Sequence, residues 1–252
     1  MLRCRPCRSP IDSNHQTCAE SGDFVDRERY QRLVGRLIYL CHTRPDIAYA
    51  VSVVSRYMHD PRTGHLEVVY QILRYLKGTP GKGLWFRANC HLNLEGYYDA
   101  DWASSRGDRR STSGYCVFVG GNLISWRSKK QAVVPRSTVE AEHRAMALAL
   151  CEMMWLKSLL KELRVLKNET MLLHCDNVAA INIANNPVQF DRMKHVDIDR
   201  FFIKEKMNGG ILRLKYVKSR EQLADCLTKG LGTKDNESAC NKMGMLNSFS
   251  PS

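Results

Sequence analysis

The chain has 252 residues, 44% of them hydrophobic, enough for one or two globular domains with their own cores. No stretch reaches the ~20 apolar residues of a membrane crossing, and the opening "MLRCRPCRSP" lacks the apolar centre of a secretion signal, so a soluble, cytoplasmic protein without membrane contact is expected. A net charge of +12 and a pI near 9.3 favour a polyanionic partner, nucleic acid ahead of lipid because no basic amphipathic helix stands out.

In chain order, residues 1–25 read as an irregular polar leader, and residues 26–80 as a helical segment. "YQRLVGRLIYL" carries Leu33, Val34, Leu37 and Ile38 on one stripe. "RPDIAYAVSVVSRYM" opens with Pro45 at a helix start and repeats Ile47, Val51, Val54 and Met58. "GHLEVVYQILRYLKGT" repeats Leu66, Val69, Leu73 and Leu76, with Gly78 as its stop. Residues 81–232 change texture. "KGLWF" and "LNLEGYYD" alternate as strands, and "GYCVFV", a Gly120–Gly121 turn and "NLISWRS" read as a hairpin. A long helix from about Thr138 to Leu163 precedes the strand "MLLHCD", the short helix "NVAAINIAN" ending before Pro187, and the helix "HVDIDRFFIKEKM". The strand "ILRLKYV", a helix within "REQLADCLTK" and a polar tail over 233–252 complete the chain. From residue 92 the order is β-β-β-α-β-α-α-β-α, an α/β class in which the first, fourth and fifth strands can lie parallel.

Ligands of such sheets gather at the carboxyl ends of the strands. Asp99, in "LEGYYDADWASS", ends the first strand and Asp176, in "LLHCDN", ends the fourth. Neighbouring strand ends lie about 5 Å apart, where two carboxylates repel unless a cation sits between them. The long helix offers Glu140 and Glu142. Ser137 and Glu140 have capping-box spacing, so Glu140 has an ordinary task at the helix start. Glu142 instead heads the apolar stripe Ala145, Ala149, Met153, Leu156 and Leu160, where a carboxylate needs a partner. Asp225, in "REQLADCL", is expected in the first turns of the last helix on the same rim, where a helix-dipole role is the plain alternative. Asp101 is a secondary acid near that rim. Oxygen-only donors suit Mg²⁺ or Mn²⁺, and two such ions can flank a phosphodiester. On a basic surface this points to a nuclease, with Arg109, Arg110, Lys129 and Lys130 as candidate phosphate contacts and solvated charge as their alternative.

"GYYDADWASSRGDRRSTSGYCVFVGGNLISWRSKKQ", "STVEAEHRAM", "CDNVAAINIANNP", "KHVDIDRFFIKEK" and "EQLADCLTKGL" resemble the ribonuclease H domain of copia-type LTR retrotransposon Pol polyproteins, the plant kind especially. "YQRLVGRLIYLCHTRPDIAYAVSVVSRYMHDP", "ILRYLKGTPGKGL" and the leader "RSPIDSN" resemble the reverse transcriptase segment after the polymerase palm of the same polyproteins. The resemblance implies a ribonuclease H-like mixed five-stranded sheet with flanking helices, and cleavage of the RNA strand of RNA/DNA hybrids during reverse transcription. Its Asp, Glu, Asp, Asp pattern falls on Asp99, Glu142, Asp176 and Asp225, which would hold two Mg²⁺ ions, with Asp99 bridging them. The implied partners are the hybrid and the rest of the polyprotein, and the implied setting is the virus-like particle of an intact element. Hybrid recognition would use groove shape, 2′-hydroxyls and phosphates.

Two departures qualify the resemblance. Cellular ribonucleases H often place a histidine before the last helix, where "VKSREQ" has none, so slow turnover or dependence on a partner is expected. The polymerase motif Tyr-x-Asp-Asp is absent, so no DNA polymerase activity is expected. The alternative function is an inactive retrotransposon relic that binds nucleic acid by charge alone. His195, Asp197, Trp102, Trp126 and Trp155 are read as structural residues, with base stacking as a further option for Trp102. The ten cysteines lack a pairing rhythm and suit reduced thiols. Cys4 and Cys7 have the spacing of half a zinc site, whose second half could come only from isolated residues such as Cys18 or Cys41 and His42; free thiols are the simpler reading.

Overall fold

The computed structural model describes residues 3–13, 22–105, 107–165, 169–185 and 194–249, with the backbone alone for residues 194–197. The elements are α1 (Arg27–Leu40), α2 (Ala48–Ser55) behind a 3-10 turn at Pro45–Ile47, α3 (Thr63–Gly78), β1 (Lys82–Leu84), β2 (Leu94–Asp101), β3 (Thr112–Val119) and β4 (Asn122–Lys130). There follow α4 (Thr138–Glu162), β5 (Met171–Cys175), α5 (Val178–Asn185), α6 (Lys194–Asn208) and β6 (Leu212–Tyr216). Two 3-10 turns (Ser219–Glu221 and Leu223–Leu227), α7 (Thr233–Lys242) and β7 (Met245–Asn247) close the chain. It divides into two compact units: a sheet unit, Phe86–Thr228, and a helical unit that combines Met1–Trp85 with Lys229–Ser252. Among the described residues no helix is long and apolar enough to cross a membrane.

The helical unit differs from the expected boundaries at both ends. Residues 233–249 of the polar tail belong to it: β7 pairs antiparallel with β1, matching Gly83 to Leu246. α7 reads as polar, yet it buries Asn236, Ala239 and Cys240 at i, i+3 and i+4. The stripes of α1 and α3 are also turned from the expected ones. α1 buries Tyr30, Val34 and Leu37, leaving Ile38 exposed, and α3 buries His65, Val68, Val69, Ile72 and Tyr75. The aromatic residues go inside because their polar tips find partners. The Tyr30 hydroxyl donates to the Val54 carbonyl (2.7 Å) and the Tyr75 hydroxyl to Asp46 Oδ2 (2.6 Å). Asp46 and Arg44, both buried, pair through two N–H···O bonds of 2.9 and 2.7 Å.

The sheet unit has the mixed five-stranded sheet that the resemblance implies, in the order β4-β3-β2-β5-β6. β2, β3 and β4 run antiparallel, and β2, β5 and β6 parallel. Alternate residues of β2 (Leu94, Gly96, Tyr98, Ala100) face α4, whose Ala145, Ala149, Met153 and Leu156 form the buried stripe. Gly96 lets the helix close down: a Cβ there would stand 2.7 Å from Met153 Sδ. Trp155, expected in the core or on a sheet face, is 58% exposed on α4, because Met153 and Leu156 already take the inward directions of that turn. The expected α-helix in "REQLADCLTK" is instead the pair of 3-10 turns, interrupted at Gln222, whose ψ of 105° is extended. Its side-chain oxygen accepts from the Ala224 N–H, a local bond that competes with continued helix. Pro187 lies outside the described residues, as do the side chains of His195 and Asp197.

Candidate active site

The parallel register of β2 and β5 pairs Glu95 with Leu172, Gly96 with Leu173 and Tyr97 with His174. Asp99 and Asp176 each stand two residues past the last of these pairs, level with one another at the carboxyl ends of adjacent strands. Asp99 is 6% exposed. Its partner on β3 is Gly114, and a Cβ at Gly114 would meet Thr228 Cγ2 at 2.7 Å and Leu227 Cβ at 2.8 Å. The second 3-10 turn therefore packs on the face of the sheet towards which Asp99 points, opposite α4.

Two side chains fasten that turn to β2. Gln222 Nε2 donates to the Tyr98 carbonyl (3.0 Å), and the Thr228 hydroxyl donates to Asp99 Oδ2. Asp225 is the middle residue of the 3-10 turn Leu223–Leu227, which Gln222 and Thr228 flank. Asp225 thus sits between two residues that both reach β2 at Tyr98–Asp99.

Glu142 arrives from the other face, on the first turns of α4, and is 4% exposed. Gln131 sets that helix against the sheet: its Nε2 donates to Ser113 Oγ on β3 (2.8 Å) and to the Ala141 carbonyl (3.0 Å). Trp102 adds a tie from the end of β2, donating from Nε1 to the Pro135 carbonyl (3.2 Å). Glu140 has the expected task at the helix start. Its N–H donates to Ser137 Oγ (3.2 Å), its Oε2 accepts from the Arg136 N–H (2.7 Å), and Oε1 pairs with Arg144 (2.7 Å).

The carboxylates make themselves felt on their neighbours. Burial pushes the Tyr98 hydroxyl well above the ordinary tyrosine range, and the charges of Cys175, Glu142 and Asp176 push further. Burial likewise takes the Cys175 thiol up to about 12, a hydrogen bond with Tyr98 opposes this, and Glu142 and Asp176 add to it. Glu142 and Asp176 therefore share the surroundings of Tyr98 and Cys175, while Asp99 shares those of the Asp225 turn. Among the described residues no three His, Cys, Asp or Glu side chains converge as a preformed metal cage. The negative field and all-oxygen donors nevertheless fit a hard hydrated cation, since Mg²⁺ keeps several waters and takes one or two carboxylates at a time. Cys4 and Cys7 are half-buried free thiols.

The basic candidates surround the same rim, where β2 passes into β3 and β4 ends. Asp101 pairs with Thr112, and Thr112 with Lys130. Lys130 Nζ and Arg110 Nε hold Asp108 at 2.7 and 3.5 Å, so these two cations are partly engaged. Arg109 and Lys129 are exposed. Trp102 is 43% exposed beside them. Sequence reasoning did not find Gln131, Gln222 or Thr228, because each acts through a partner far away in the chain.

No protein-family model matches the chain. It is 42% identical over 246 residues to the retrovirus-related Pol polyprotein from transposon RE1 of Arabidopsis thaliana, covering 97% of this chain and 17% of that polyprotein. It is 40% identical over 247 residues to that from transposon RE2 of the same plant, covering 98% of this chain and 17% of the relative. Among solved structures, the N-terminal RNase H domain of rv2228c from Mycobacterium tuberculosis is similar over 60% of this chain and 97% of its own, at a TM-score of 0.40 and 11% identity. That likeness is weak, and the topology rests on the strand order itself. By its near-complete match to RE1 and RE2, the chain belongs to the retrovirus-related Pol polyproteins of plant transposons and spans 17% of the length of those relatives.

Proposed function

We propose that the sheet unit is a ribonuclease H that hydrolyses the RNA strand of RNA/DNA hybrids within a transposon Pol polyprotein. Asp99, Glu142, Asp176 and Asp225 would hold two Mg²⁺ ions, with Mn²⁺ as a substitute. The observation that carries this reading is the level placement of Asp99 and Asp176 past the last β2–β5 pair, with the segments bearing Glu142 and Asp225 fastened to that same end of the sheet. The chemistry such ions would supply, when held by these residues, is Lewis acidity towards the attacking water and the leaving oxygen of a phosphodiester.

The chain's own residues have the remaining tasks. Asp99 and Glu142 place buried carboxyl groups at the rim. Arg109 and Lys129 are free to meet phosphates, while Asp108 holds Arg110 and Lys130 in place beside them. Hybrid binding would rest on backbone charge and groove shape, without base reading.

A hybrid-cleavage assay in Mg²⁺ tests the reading by comparing the wild-type chain with Asp176→Asn. Cleavage by the wild type and loss of at least about a hundredfold in the variant is expected if the carboxylate serves charge stabilisation. Equal background from both proteins would sink the proposal. The second reading, an inactive relic, draws support from the "VKSREQ" loop, which forms a 3-10 turn and carries no histidine. Binding without cleavage, with steep salt dependence, would favour it.

A further inference from the structure

We propose that Thr228 is a positioning residue for Asp99, and that with Gln222 it forms a clamp that presents the 3-10 turn carrying Asp225 to the end of β2. The inference rests on the ribonuclease H reading and adds to it two residues that are not metal ligands.

The Thr228 hydroxyl has one proton and three oxygens within reach. The Ala224 and Asp225 carbonyls lie at 3.5 and 3.3 Å, both long for an O–H donor, and the closest acceptor is the Asp99 carboxylate. A charged acceptor at the shortest distance takes the proton. Thr228 is fully buried, so water does not compete for it. Its Cγ2 lies over Gly114, which fixes the side-chain direction and with it the hydroxyl.

Gln222 holds the other end. Its Nε2 reaches the Tyr98 carbonyl, and its Oε1 accepts from the Ala224 N–H (3.2 Å), so one buried amide joins β2 to the first residues of the turn. The two anchors stand three residues before and three after Asp225. A turn held at both ends cannot roll, and Asp225 keeps its aim. Thr228 thereby engages one oxygen of the Asp99 carboxylate. Groups that orient metal-binding side chains in this way contribute about 10- to 100-fold to metal affinity.

The experiment uses the full 252-residue chain. Mg²⁺ binding is measured by calorimetric titration, and hybrid cleavage at saturating Mg²⁺ is resolved into kcat and KM. Thr228→Val keeps the shape and removes the hydroxyl. It is expected to weaken Mg²⁺ binding about 10- to 100-fold and to lower kcat while leaving KM for the hybrid unchanged. Thr228→Ser is expected to restore binding to within about threefold of wild type. Gln222→Met, which cuts the clamp without touching Asp99, is expected to weaken Mg²⁺ binding in the same direction, and it serves as the deciding variant if Thr228→Val loses its circular dichroism spectrum. Wild-type-like Mg²⁺ affinity in a folded Thr228→Val, failure of Thr228→Ser to restore it, or an unaltered Gln222→Met would each overturn the clamp while leaving the nuclease reading intact. A wild-type chain that neither binds Mg²⁺ nor cleaves would overturn both.

Discussion

Replacing Gly114 by alanine tests how closely the turn that carries Asp225 is seated on the sheet. The added Cβ would meet Thr228 Cγ2 at 2.7 Å, Leu227 Cβ at 2.8 Å and the Leu227 carbonyl carbon at 3.1 Å. Two of these atoms are backbone or attached directly to it, so relief requires the turn itself to lift. Overpacking of this kind costs about 1–3 kcal/mol, offset by about 0.5–1 kcal/mol because alanine suits a strand better than glycine. The net loss is roughly 1–2 kcal/mol, or about 3–8 °C in the melting temperature of a unit this size. Gly96→Ala is the control. Its Cβ would meet Met153 Sδ at 2.7 Å and Leu173 Cδ1 at 3.0 Å, both far ends of flexible side chains. There the clash and the strand preference roughly cancel, and a shift within about 2 °C is expected. Scanning calorimetry of the two variants beside wild type reads both numbers. Hybrid cleavage should also fall in Gly114→Ala by about tenfold or more, because a misplaced group loses its contribution to the reaction. Equal melting temperatures for the two variants, or full cleavage by a destabilised Gly114→Ala, would refute the close seating.

In the helical unit, Asp46→Asn leaves Arg44 buried without its charge partner and should cost about 3–5 kcal/mol, seen as a fall of roughly 10 °C or more in that unit's calorimetric transition. Asp108 feels burial, which raises its pKa, but hydrogen bonds from Lys130, Ser105 and the Arg110 backbone bring it down from 3.8 to about 2. Its stabilising effect is therefore present above about pH 4 and fades as pH falls towards 2. Urea denaturation of wild type and Asp108→Asn should differ at pH 5 and converge near pH 2. Arg109→Ala and Lys129→Ala should each lower the slope of log affinity for a hybrid against log salt by about 0.9, and an unaltered slope would remove that residue from the interface.

Much of the sheet unit was legible because period-2 alternation in "LEGYYDAD" and the capping box at Ser137 are local signals. Separating Glu140 from Glu142 needed only the cap and the apolar stripe; the structure gives Glu140 the capping bonds, and both glutamates are buried to the same 4% exposure. The parallel neighbourhood of β2 and β5 was legible from the strand order, whereas their register comes from the structure. What remained hidden depends on distant partners. The 3-10 geometry around Asp225 follows from Gln222 bonding to Tyr98, a pairing across 124 positions that no local pattern contains. The helical stripes came out rotated because tyrosine and histidine were not counted as core formers, although Tyr30 and Tyr75 become so once a buried acceptor satisfies the hydroxyl. α7 escaped notice because its inward face is Asn, Ala and Cys instead of Leu or Ile.

The helical unit is assembled from two segments, residues 1–85 and 229–252, that flank the sheet unit in sequence, and this sets a temporal order on synthesis. Residues 86–228 leave the ribosome as one uninterrupted stretch able to close on itself. The apolar core of α1–α3 closes among residues 11–75, while the β1 edge stays unpaired until β7 is translated. A chain cut just after Thr228 would therefore keep all five strands of the larger sheet and leave β1 without its partner strand.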